Sequence, residues 1–338
     1  MTDYTPYKNP SHLADYEWHN DQLCTRLFKN YDDTITADFD VYLYLTPLHV
    51  QTQTSRQVNF FFLYRQKDLI IPIAIFQCCD YDNNWFSPFR APFGSIQCHA
   101  NCTIAEIDFF LKCISSYVQK QRGLKLVIQH YPDCYRETPI DLANEIYLPN
   151  GFKVIGELNN QSIPVSSKMF SEVICRMERR RLNKCVNSHF ISKIESDIQA
   201  KEIYNFLFRC RSKKGYSISL TEANLEKLLV TFRNEIIVFS VKKDNLIVAL
   251  SVTVRVNKKV LYNFLTDSLP EFNTYSPAVL LTQRIYNYCQ DQKIQVLDLG
   301  TSVDHHGTEK AGLVRFKENL GGVRGRKLTF SKDFHPSQ

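Results

Sequence analysis

The chain has 338 residues, 44% of them hydrophobic and 13% aromatic, which is enough for two ordinary cores and excludes a disordered or low-complexity protein. Its net charge of +6 is uneven: residues 1–165 carry 13 Lys+Arg against 18 Asp+Glu, and residues 166–338 carry 28 against 17. A second half that basic points to an anionic partner such as a phosphate-bearing cofactor, a nucleotide sugar or RNA.

The opening MTDYTPYKNP has no basic start and no apolar run, so no signal peptide is expected. The apolar stretch Leu69–Cys79 is interrupted by Pro72 and Gln77 and is too short to span a bilayer. A cytoplasmic protein is the expectation. The eleven cysteines are odd in number and scattered, which suits free buried thiols. Cys98-His99-Ala100-Asn101-Cys102 lacks a second paired knuckle, because Cys78 and Cys79 are adjacent; no metal site is expected.

Val58–Tyr64 and Leu69–Gln77 read as a hairpin around Gln66-Lys67-Asp68. A proline- and aromatic-rich loop is expected from Asp80 to Gly94, then a helix from Thr103, where Thr103 and Glu106 fit a capping box. The strand Leu124–Gln129, a short helix over Asp141–Tyr147 and a last strand opened by Gly151-Phe152 complete the first half. The second half repeats the order. Glu235–Val241 and Leu246–Val256 form a hairpin around Lys243-Asp244-Asn245, and Val260–Leu265 leads to a helix from Ser276 with Pro277 at its first position. The strand Gln295–Leu299, a helix near Leu313–Leu320 and Gly321-Gly322 before Val323–Phe330 follow. The boundary is expected near Asn159–Ser167, giving domains 1–165 and 166–338.

This order is that of the GNAT acyltransferase core, and two in tandem resemble the Fem-type acyl and aminoacyl transferases, which add amino acids to cell-wall precursors. The resemblance is carried by the basic run Arg176, Arg179, Arg180, Arg181 and Lys184, by Tyr275-Ser276-Pro277-Ala278-Val279-Leu280-Leu281, by Val296-Leu297-Asp298-Leu299-Gly300, and by Leu313–Gly322 with its Phe316-Lys317. In the first half Ser87–Gly94 is similar to the family's substrate-side loop. The resemblance implies an α/β (α+β) fold of two tandem GNAT-like domains, each a mixed twisted sheet flanked by helices, with paired strands that splay beside the main helix. The first domain would serve the acceptor and the second the donor. The donor would be acyl-CoA or aminoacyl-tRNA, used as a substrate and not as a tightly bound cofactor. The acceptor would be an amine, on a small molecule or a cell-wall or polysaccharide precursor. Segment 268–275 has no glycine, unlike the pyrophosphate loop of GNAT enzymes that grip coenzyme A.

Acyl transfer to an amine passes through a tetrahedral oxyanion that needs a fixed positive charge or N–H donors. The resemblance assigns that charge to Lys317, which as a bare sequence position could also be an exposed helix lysine. His305 and Asp267 are the candidate bases, each in a loop or at a strand end. Tyr275, Ser276, Ala278 and Arg315 are candidates for the donor side, since the helix opened at Ser276 offers free N–H groups to an anion. Arg90, Tyr262, Asn263 and Phe316 are candidates for the acceptor side; Tyr262 and Asn263 face opposite ways on one strand, so only one of them can line a cleft. Lys213, Lys214 and Gly215 form a loop able to close over substrate. The alternative reading is a non-catalytic GNAT-fold module binding an anionic ligand such as a nucleotide or polysaccharide precursor.

Overall fold

The computed structural model describes residues 14–31, 33–213, 215, 218, 220–304 and 307–334. They divide into two compact units. The first comprises Met1–His130, Glu137–Ile155 and Thr329–Gln338, and the second Tyr131–Arg136 and Gly156–Leu328.

In the first unit β1 (Tyr16–His19), β2 (Leu23–Lys29), β3 (Val58–Arg65) and β4 (Ala74–Tyr81) form an antiparallel meander, with the short helix α1 (Pro47–Gln53) between β2 and β3. The second hairpin strand starts later than the sequence suggests. The Asp68 carboxylate accepts from the Ile70 and Ile71 N–H groups, which holds a turn, and Pro72 has no N–H to give a ladder. The expected loop 80–94 contains a strand, β5 (Asn84–Ser87), with Trp85 and Ser87 buried. It pairs with β4 and, in parallel, with β7 (Lys125–Gln129). The two-residue β6 (Gln97–Cys98) also pairs with β4.

The crossover to β7 is the helix α2 (Ile104–Lys120). Its capping box is complete: the Glu106 N–H donates to Thr103 Oγ1 at 3.3 Å and the Thr103 N–H to Glu106 Oε2 at 2.8 Å. Ile107, Phe110, Leu111, Ile114 and Val118 recur on its buried face.

The second unit repeats this plan. The strand β8 (Lys153–Pro164) contributes Asn160–Pro164 to its sheet. The helices α3 (Phe170–Val173) and α4 (Arg176–Asn187) follow, then β9 (Ile191–Glu195), α5 (Ala200–Ser212) and α6 (Glu222–Thr231). The meander is β9, β10 (Ile236–Lys243), β11 (Leu246–Arg255) and β12 (Val260–Ser268). The crossover helix is α7 (Pro277–Asp291), leading to β13 (Val296–Thr301), which runs parallel to β12. The helix α8 (Ala311–Asn319) and β14 (Val323–Asp333) end the chain. Asp244 and Asn245 both adopt positive φ, 48° and 66°, as a tight hairpin turn requires. Val279, Ile285 and Cys289 of α7 belong to the same buried core as Val248, Leu250 and Leu261 of the strands.

The closing strands differ from the expectation. Asn160–Pro164, expected to finish the first half, pair with β13 of the second unit, and Thr329–Asp333 pair with β7 of the first. Among the described residues no helix is long and apolar enough to cross a membrane.

Candidate active site

In the second unit, β12 and β13 pair only through Val260–Tyr262 and Val296–Asp298. Beyond Tyr262, β12 continues to Ser268, and beyond Asp298, β13 continues to Thr301, without further pairing between them. On the β8 side the register of β13 slips between Asp298 and Gly300. Gly300 makes this possible. Its φ is +71°, and a Cβ there would stand 3.1 Å from the Tyr262 ring.

The slip brings two carbonyls under α8. The Lys317 ammonium donates to Gly300 O at 2.9 Å and to Thr301 O at 2.8 Å, and the residue is only 8% exposed. Lys317 lies in the last turn of α8, where a cation complements the helix dipole. Burial pulls its ammonium down to about 8, against the opposing pull of the negative Asp298.

Asp298 is 1% exposed. Its Oδ1 accepts from Asn160 Nδ2 at 2.8 Å and from the Gly300 N–H at 2.7 Å, and its Oδ2 accepts from the Tyr135 hydroxyl at 2.6 Å. Burial still raises its carboxyl, because three neutral-group donors do not fully replace water. Burial also lowers Lys327 and raises the Tyr262 phenol, with the Asp298 charge acting on both. This polar centre therefore joins residues from 131–136, β8, β12, β13, α8 and β14, all within the second unit.

The other residues selected from sequence are placed as follows. Phe316 is half-buried and packs against the core. Arg315 is exposed, on another side of α8 from Lys317. Asn263 accepts from the Ser251 hydroxyl of β11, while the ring of half-buried Tyr262 lies beside Gly300, so Tyr262 is the one of the pair that reaches the parted strands. Asp267 accepts from the Ser268 N–H at 2.8 Å and stands 3.9 Å from Arg211 Nε. His305 and Lys214 lie outside the described residues, and Lys213 is ion-paired with Glu271. Arg90 belongs to the first unit, exposed, its guanidinium 5.2 Å from the centre of the Phe89 ring.

Ser276 does not cap α7. Its φ of 53° is left-handed and its hydroxyl donates to Asn273 O, so no side-chain oxygen meets the helix N–H groups; Pro277 does hold the first turn, ahead of half-buried Ala278. The segment before it spends its own donors. The N–H groups of Phe272, Asn273, Tyr275 and Ser276 donate to the carbonyls of Leu269, Pro270, Phe272 and Asn273. Tyr275 packs on Phe190, and the Lys184 ammonium sits 4.8 Å over its ring. Within the basic run, Arg179 donates to Ser171 O at 2.7 Å and Arg181 to Glu178 Oε1 at 2.7 Å, while Arg176 and Arg180 are exposed.

Sequence reasoning missed Asp298 as a site residue, and with it Tyr135, Asn160 and Lys327. The signal for Asp298 was present: a carboxylate between Leu297 and Leu299 in an apolar central strand must be hydrogen-bonded or paired. Nothing local marks Tyr135 or Asn160, whose partner is 163 and 138 residues away.

Residues 174–317 match the acetyltransferase (GNAT) domain family. No curated protein matches the chain. Among solved structures, FemX superposes with a TM-score of 0.67 at 10% identity, over 86% of this chain and 92% of that one. The C-terminal domain of a putative lysylphosphatidylglycerol synthetase from Agrobacterium fabrum does so at 0.53 and 8%, over 77% and 81%. A tandem GNAT protein from the clavulanic acid biosynthesis pathway gives 0.50 and 8%, over 83% and 84%. At these identities the likeness concerns the fold. Residues 174–317 thus match an acetyltransferase (GNAT) domain, and the chain as a whole has the fold of FemX and of the tandem GNAT protein.

Proposed function

We propose that this protein is an N-acyltransferase that passes an acyl or aminoacyl group from an activated donor to an amine. The observation that carries the reading is the parting of β12 and β13 after Tyr262 and Asp298, with the buried Lys317 ammonium at its edge, inside the segment matched by the GNAT family. A donor carbonyl seated between the parted strands would meet the remaining N–H of Lys317. The amine adds to the carbonyl carbon, negative charge gathers on its oxygen, and the nearby cation favours that state over the ground state. Collapse of the adduct expels the donor's leaving group, and the amine's proton passes to a base. Of the two candidates Asp267 is already engaged with Ser268 and Arg211, which favours His305.

The second domain would hold the donor and the first, with Arg90, the acceptor. For the donor, segment 268–275 has no glycine and commits three N–H groups internally, which favours aminoacyl-tRNA over acyl-CoA. The excess of 28 Lys+Arg over 17 Asp+Glu in residues 166–338 suits the same donor. The acceptor would be an amine on a small molecule or on a cell-wall or polysaccharide precursor, and the reaction would run in the cytoplasm.

The test is a thermal-shift and transfer assay with acetyl-CoA and with charged tRNA. Stabilisation by charged tRNA, with radiolabelled amino acid transferred to an amine, supports the reading. Stabilisation by acetyl-CoA alone would make this an ordinary acetyltransferase. Binding of an anionic ligand with no transfer from either donor would make it a non-catalytic binding module.

A further inference from the structure

The hairpin of β1 and β2 in the first unit brings three side chains with metal-ligand chemistry to one place. Glu17 and His19 are two apart on β1, so they share one face of the strand. The register sets His19 opposite Cys24 of β2. His19 Nε2 lies 3.1 Å from Glu17 Oε2 and 4.0 Å from Cys24 Sγ, and the three ligand atoms are all within 4.8 Å of one another. Among the described residues no other three His, Cys, Asp or Glu side chains meet this closely. A tetrahedral zinc ion at its usual bond lengths sets nitrogen, oxygen and sulfur ligands about 3.3–3.6 Å apart. The two separations measured at His19 fall on either side of that range, so small rotations of the exposed Glu17 and His19 side chains close the set around an ion.

The neighbours of these three residues orient them. Arg26 Nε donates to Glu17 Oε1 at 2.8 Å, which leaves Oε2 for the imidazole. Gln66 Nε2 stands 3.0 Å from His19 Nδ1 and so holds the ring by the nitrogen that does not face Cys24. Metal-bound histidines are steadied through the same second nitrogen. A half-turn of the Gln66 amide presents its oxygen, which can accept from Nδ1–H once Nε2 holds a metal. Cys24 is fully buried beneath the exposed pair, so the ion would keep a fourth position open to water on the Glu17 and His19 side.

We propose that Glu17 Oε2, His19 Nε2 and Cys24 Sγ form a zinc site that ties β1 to β2. One carboxylate oxygen, one imidazole nitrogen and one sulfur suit zinc, whereas calcium and magnesium take oxygen ligands. Coordination releases the Cys24 thiol proton, and the thiolate and the Glu17 carboxylate then balance the two charges of the ion. β1 pairs with β2 alone, so the ion would fasten the end strand of the sheet. The proposal does not rest on the transfer reaction.

The experiment uses the full chain, stripped of metal and kept reduced, with cobalt(II) as the spectroscopic probe and zinc as competitor. One equivalent of cobalt should give a sulfur-to-cobalt charge-transfer band and the visible bands of four-coordination, and zinc should displace it. Zinc should also raise the melting temperature of the parent. His19→Ala lies at an exposed position, so it should fold as the parent does and lose both the bands and the zinc-dependent rise. Cys24→Ser should lose the charge-transfer band. Removing even a partner outside the ligand set costs about 10–100-fold in metal affinity, so Glu17→Gln should weaken cobalt binding by at least about tenfold. A parent without the charge-transfer band, or the same band and affinity in His19→Ala, would overturn the assignment by leaving the site to other cysteines or to none.

Discussion

Replacing Lys317 by methionine keeps the length of the side chain, removes its charge and deletes its bonds to Gly300 O and Thr301 O. Burial holds the ammonium at about 8 instead of 10.5. Below pH 8 the lysine is charged in both the folded and the unfolded chain, and the folded state bears the full cost of that burial, about 3 kcal/mol. Between pH 8 and 10.5 the unfolded chain keeps a proton that the folded chain has lost, so this contribution to stability rises with pH and levels off above 10.5. The two hydrogen bonds offset it by about 1 kcal/mol each. Lys317→Met should therefore lie within about 1 kcal/mol of the parent at pH 7 and become less stable by about 2–3 kcal/mol at pH 10.5. Buried cysteines and tyrosines also titrate in this window, but they are common to both proteins and cancel in the difference. Calorimetric melts of both proteins under reducing conditions should read a gap that opens by about 4 °C between pH 7 and 10.5. Two melting curves that stay parallel across that range would refute the buried-ammonium account.

Three further results are expected. Asp298→Asn should cost under about 1.5 kcal/mol, because Oδ1 keeps its two donors and the Tyr135 hydroxyl can turn to accept from the new amide; Asp298→Ala strands three buried donors and should cost about 3 kcal/mol or more in urea unfolding. If the charged form of Lys317 serves the transition state, kcat should fall as pH rises through about 8, and in Asp298→Asn the fall should move to lower pH, since the Asp298 charge raises Lys317. In the same assay Lys317→Met should lose about 10²–10³-fold in kcat with little change in donor affinity. Replacing exposed Arg176 and Arg180 by alanine should weaken tRNA binding and flatten its salt dependence with an unchanged melt, whereas Arg181→Ala should also destabilise, because it removes the donor to buried Glu178; equal salt slopes would take these arginines out of the donor site.

What the sequence made legible was local chemistry. Thr103 and Glu106 sit three apart because each must reach the other's backbone, and the structure closes both bonds. Asp244-Asn245 marks a turn that needs two left-handed residues between apolar strands. The strand β5 was hidden because four residues between a two-residue turn and Pro88 leave no room for a periodic pattern, and one of its two partners is β7, reached through the whole of α2. Ser276 shows a different failure. The Ser-Pro pair does fix where α7 begins, but the left-handed backbone at Ser276 denies its hydroxyl the capping position, and no propensity scale encodes that conformation.

The candidate site divides along the same line. Lys317 was legible through its motif, and Gly321-Gly322 through the tight turn after α8, where a Cβ on Gly322 would stand 2.6 Å from Lys317 O. The depressed ammonium was not legible, because it arises from three separate strokes of the chain. Gly300 slips the register of β13 and exposes two carbonyls, α8 lays the lysine across them, and residues 131–136 and β8 return to hold Asp298 in place beside it. Each step is ordinary by itself. Their meeting is a property of the closing strands, since it is Asn160 on β8 that reaches Asp298. A change at Gly300 should therefore act at a distance from any substrate: Gly300→Ala would press a Cβ against the Tyr262 ring at 3.1 Å and strain a +71° backbone, pulling the two carbonyls from Lys317 before it disturbs the core.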